Sequence, residues 1–151
     1  MSGRIRQLEA QINALVRSTV ARAESREETE LVFAEILDVE IPPERYPAST
    51  LLFSFPSQTD YATGGLTENE WRWVQRSYFD NTEPALAQME MKRLLPALLT
   101  TFRRNPVLTL EDGATAEIDV EDTGPPEPAE GRGMPSVLVK SLEIVMRTEE
   151  D

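Results

Sequence analysis

The chain has 151 residues, with 27 acidic against 15 basic side chains and a net charge of −12. It contains no cysteine and no histidine, which excludes disulfides, thiolate zinc sites, a cysteine nucleophile and the commonest general base. The acidic balance argues against nucleic acid wrapped on the surface, although nucleic acid could slide through an acidic channel.

Taken in chain order, residues 4–22 predict an amphipathic helix, because Ile5, Leu8, Ile12, Leu15, Val16 and Thr19 fall at three- and four-residue steps. Residues 25–30 are a charged connector. Residues 31–39, rich in Val, Ile, Leu and Phe, predict a first strand. Three prolines make residues 41–47 a loop. Residues 50–55 predict a second strand, and residues 58–66, with Gly64-Gly65, a turn or flexible loop.

Two signals compete at the next element. Thr67-Glu68-Asn69-Glu70 has the form of a capping box and points to a helix. Trp, Val, Tyr and Phe dominate residues 71–79, and a period of two separates Trp71, Trp73 and Phe79 from Arg72, Arg76 and Tyr78. That alternation predicts a strand. Residues 82–104 predict a second helix with Ala87, Met91, Leu94, Leu95, Leu98 and Phe102 on its buried stripe. Asp80, Asn81 or Thr82 can cap it, and Pro84 is tolerated in its first turn. Pro96 predicts a kink or break at residues 92–95, and Asn105-Pro106 ends the helix.

Residues 107–110 and 114–120 flank Glu111-Asp112-Gly113, a hairpin signal. Residues 121–135 are rich in Pro, Gly and Glu without an apolar pattern, and predict a mobile loop. Residues 136–147 predict a long final strand. The elements make a single α+β domain over residues 1–151, with about four main strands, two helices, an acidic hairpin and an acidic loop. No apolar run reaches the roughly 20 residues needed to span a bilayer, and no signal peptide is visible.

The chemistry-bearing patterns are weak. Glu117, Asp119 and Glu121 share one strand face, but lack the glycine and acid spacing of a calcium loop. Gly64-Gly65 is too short for a phosphate loop. Ser136 and Lys140 have the wrong spacing for a serine–lysine pair. No catalytic, cofactor or metal residue is assigned. Trp71 and Trp73 read as core aromatics, or one of them as an interface anchor. Arg72 and Arg76 lie on the opposite face of that strand.

Four stretches resemble the tail terminator, or tail-completion, proteins of long-tailed bacteriophages. They are Ser49-Thr50-Leu51-Leu52-Phe53 after the proline-rich loop, Gly64-Gly65 before Trp71-Arg72-Trp73-Val74, Leu94-Leu95-Pro96-Ala97-Leu98-Leu99 running into Arg104-Asn105-Pro106, and Ser136-Val137-Leu138-Val139. The resemblance lies in element order and texture over most of the chain. It implies a mixed or antiparallel sheet with helices packed on one face. It further implies a structural virion protein, not an enzyme, that forms a homohexameric ring on the head-proximal end of the tail tube. Such a ring stops tube polymerisation and offers a docking surface to the head connector, while genome DNA passes through its lumen. The expected location is the head–tail junction, after assembly in the host cytoplasm. Expected contact residues are Arg72, Trp73, Arg76, Tyr61, Gly64, Gly65, Glu117, Asp119 and Glu121, with loops 56–66 and 121–135, the latter ordering on assembly. The competing readings are a head-closure or adaptor protein of the same neck, and a cellular interaction module or carboxylate-dependent enzyme.

Overall fold

The computed structural model describes residues 2–54, 57–60, 67–129 and 136–150. Two helices, α1 (Ser2–Ser18) and α2 (Pro84–Arg104), accompany one mixed sheet. Its strands are β1 (Glu35–Ile36), β2 (Ala48–Phe53), β3 (Ser57–Asp60), β4 (Thr67–Asp80), β5 (Val107–Thr109), β6 (Thr115–Asp122), β7 (Glu127–Pro128) and β8 (Val137–Glu150). The order across the sheet is β1-β2-β4-β8-β6-β5, with β3 on β4 and β7 on β8. Among the described residues, only β1 and β2 pair in parallel. The chain is therefore α+β, with eight strands among the described residues instead of four main ones.

The spine is the antiparallel β4–β8 pair, matched residue for residue from Thr67↔Glu150 to Asp80↔Val137. At about 3.4 Å per residue, each of these 14-residue strands is about 48 Å long. The strand reading of residues 71–79 holds, and the capping-box residues 67–70 join the same strand. Alternation turns Trp71, Trp73 and Phe79 inward with Leu142, Ile144 and Met146 from β8, and all are buried. Leu8, Ile12 and Val16 of α1 and Met91, Leu94, Leu98 and Phe102 of α2 close over them in one core.

Several boundaries differ from expectation for local reasons. Helix α1 stops at Ser18, where the hydroxyls of Ser18 and Thr19 donate to the Leu15 carbonyl at 2.8 and 3.0 Å and compete for the helix end. Residues 31–39 form the two-residue β1 and, at Leu31, an isolated antiparallel bridge to Ala21. The Glu35 carboxylate accepts the backbone N–H groups of Glu44 and Arg45 at 3.3 and 3.1 Å, folding the following chain back. Helix α2 begins after Glu83, with Pro84 in its first turn and no side-chain cap. Asp80 instead accepts from the Thr82 N–H and hydroxyl in the turn before it. Pro96 does not break α2, which is helical from Pro84 to Arg104. The expected loop at 58–66 begins as strand β3, and the expected loop at 121–135 contributes the end of β6 and all of β7.

Candidate interface on the second sheet face

The face of the sheet opposite the helices carries the even-numbered residues of β4 and the odd-numbered residues of β6 and β8. These alternate with the core residues, so they share a surface by strand geometry alone. Arg72 lies opposite Val145, and Asp119 lies opposite Val145 from the other side.

Charged side chains join across this face. The Arg72 guanidinium pairs with Glu143 and, at 3.2 Å, with Glu70. Arg147 pairs with Glu70 at 3.2 Å and Asp119 at 3.4 Å, and reaches Glu68 at 3.9 Å. Three strands are tied side to side through two arginines. The hydrogen bond to Glu143, with a smaller contribution from Glu70, favours the charged form of Arg72 against the opposing effect of burial. Val145 lies beneath this layer with no exposed surface, so the arginine stems act as its apolar cover. Arg76, farther along β4, pairs with Glu40 from the segment after β1.

A second polar device sits where β6 leaves β8. Residues 123–126 swing outward before β7 resumes the pairing. Gly124 there has φ +127°, which a side chain would strain. The buried Lys140 ammonium donates to the Asp122 carboxylate and the Gly124 carbonyl, filling the gap. That contact, with the Gly124 N–H, holds the Asp122 carboxyl below the usual carboxylate range. Beside this bulge, a shallow pocket of about 330 Å³ has Val74, Val139 and Ser141 on its sheet side, with Arg76, Pro125 and Pro128 around it.

The sequence matches no protein family model and no curated protein.

Of the residues expected at contacts, Arg72, Arg76, Glu117, Asp119 and Glu121 all lie on this face. Glu117 and Glu121 make no ion pair among the described residues. Trp73 does not belong with them. It points to the helix side with no exposure, donating its indole N–H to Glu9 at 3.2 Å and packing its ring 5.3 Å from Phe53. A side chain used up in the core cannot anchor a neighbour, so the core reading of this tryptophan replaces the interface one. Tyr61, Gly64 and Gly65 lie outside the described residues.

Glu68, Glu70, Glu143 and Arg147 were missed as members of this surface. The signal was available in β8, where Leu142, Ile144 and Met146 face the core and Glu143 and Arg147 must face away. Gln75 donates its amide to the hydroxyls of Ser49 and Ser77 at 2.9 Å each, and all three are fully buried. Among the described residues, no group of three acidic side chains is placed to hold a metal ion. What this face offers chemically is an ordered array of paired charges.

Proposed function

We propose that this protein is a tail terminator of a long-tailed bacteriophage, acting as a homohexameric ring on the head-proximal end of the tail tube. The observation that carries the reading is the element order. An N-terminal helix, the strands β1 and β2, the long aromatic strand, a helix ending at Asn-Pro and a long last strand come in the sequence order of the resemblance, with β3 added before the aromatic strand and β5, β6 and β7 where that order has a variable loop. The end of the second sheet face around Arg72 and Arg147, clear of both helices and faced with arginine–carboxylate pairs, supplies a polar surface for neighbours, while Tyr78, Val137 and Val139 at the other end are buried. Termination by such a ring is geometric. A ring that matches the tube on one side and not on the other admits no further tube subunit. The tube subunit and the head connector are the partners in this reading, and genome DNA crosses the lumen without specific contacts, since an acidic wall repels phosphate.

The test is to add purified protein to growing tail tubes and image the products by electron microscopy. A ring at one end of each tube, with arrested growth, is the expected result. A protein that stays monomeric and leaves tube growth unchanged refutes the reading. Binding to isolated heads instead of tails reassigns the protein to another position in the neck.

A further inference from the structure

Strand β6 is longer than the strand that covers its outer edge. β5 pairs with residues 115–117 only, and Ile118 then donates its N–H to the Pro106 carbonyl at 2.9 Å. That bond shows that Ile118 turns its backbone polar groups away from β8. The two-residue period of an antiparallel ladder turns those of Val120 and Asp122 the same way. Pro106 has no N–H to offer the Ile118 carbonyl. Among the described residues, the N–H and carbonyl groups of Val120 and Asp122 have no hydrogen-bond partner on that edge. A groove of about 280 Å³ lies alongside, lined by Leu99, Phe102 and Arg103 of α2 with Pro106, Ile118 and Val120.

We infer that this edge takes an extended, basic segment of a partner protein as an added strand. The alternation of β6 sets its pattern. Ile118 and Val120 face the helix side, so the incoming residue on that side is apolar and enters the groove beside Phe102. Arg103 on the same rim disfavours a basic residue there. Glu117, Asp119 and Glu121 face the other side, and all three are exposed, so the incoming residues on that side are arginine or lysine. Main-chain pairing supplies the affinity and the alternating side chains the selectivity. The same carboxylates disfavour a second copy of β6, which would set acid against acid across the new pair. This assignment does not depend on the ring reading.

The probe is a short capped peptide alternating arginine and valine, with a glutamate–valine peptide as control, followed through the protein's backbone amide resonances. The arginine–valine peptide is expected to shift Val120 and Asp122 and to bind several-fold more weakly at high salt, while the control does not bind. Val120→Pro removes an outward N–H that the fold does not use, and is expected to lower affinity about tenfold. Glu121→Lys, at an exposed position, is expected to lower it several-fold, and it decides the matter if Val120→Pro fails to fold. Equal binding of both peptides, shifts elsewhere, no binding at millimolar peptide, or unchanged affinity in Glu121→Lys overturns the inference. Self-association that Val120→Pro abolishes also overturns it, by giving the edge to a second copy.

Discussion

Replacing Pro96 by alanine should stabilise the protein. Pro96 lies near the middle of the 21-residue α2, with its side chain exposed. Its ring removes one backbone donor and crowds the carbonyl of Lys92, and a proline inside a helix costs about 3 kcal/mol relative to alanine. Proline also restricts the unfolded chain, which returns about 0.4–1 kcal/mol that the variant forfeits. No buried contact is lost, since the ring faces solvent. The net gain is about 2 kcal/mol, and at about 2–4 °C per kcal/mol for a chain of this size the melting temperature should rise by about 4–8 °C. Urea unfolding should show a higher midpoint at unchanged slope. A variant that melts at or below the parent temperature refutes the reasoning, because α2 would then carry no proline penalty.

Leu98 is fully buried between α2 and the sheet, so Leu98→Ala should cost about 3–4 kcal/mol in urea unfolding, a large share of a typical domain's stability. Burial, and secondarily Asp80, push the Glu90 carboxyl above its usual range, against a smaller opposing effect of Arg93. A raised carboxyl favours the fold at low pH and loses that contribution as pH rises through the folded value. Glu90→Gln should therefore raise the melting temperature at pH 7, with the gain vanishing near about pH 3. The Asp80 carboxyl is held low, first by the Thr82 hydroxyl and then by its N–H. Its contribution is present at neutral pH and fades as pH falls through the folded value. Asp80→Ala should thus lower stability by less than about 1 kcal/mol at pH 7, because the group is exposed. That deficit should shrink in melts at acid pH.

The parts of this fold that were legible were those written in local period. The two-residue alternation of Trp71, Arg72 and Trp73 outweighed the capping box before it, because four helix-start residues with no helical apolar stripe behind them have nothing to pack. Pro96 misled in the other direction. A helix with five buried residues holds together across one unfavourable turn. Residues 127 and 128 gave no strand signal, since proline lacks a ladder donor, yet an edge position tolerates it. For the candidate surface, alternation placed Arg72 and Arg76 opposite the core. Their partners Glu143 and Glu40 come from distant segments, and which carboxylate meets which arginine depends on a register that exists only in the assembled sheet.

The β4–β8 spine also governs how the chain reaches its native state. Its two strands are far apart in sequence, and each pairs with the other over its whole length, so the largest block of backbone bonds forms only after a long loop has closed. Loop-closure entropy is spent before those bonds repay it, which places folding in the slow range of milliseconds to seconds. Until closure, β4 exposes two tryptophans and an unpaired edge to any neighbouring chain. Refolding yield should therefore fall with protein concentration well before native stability does.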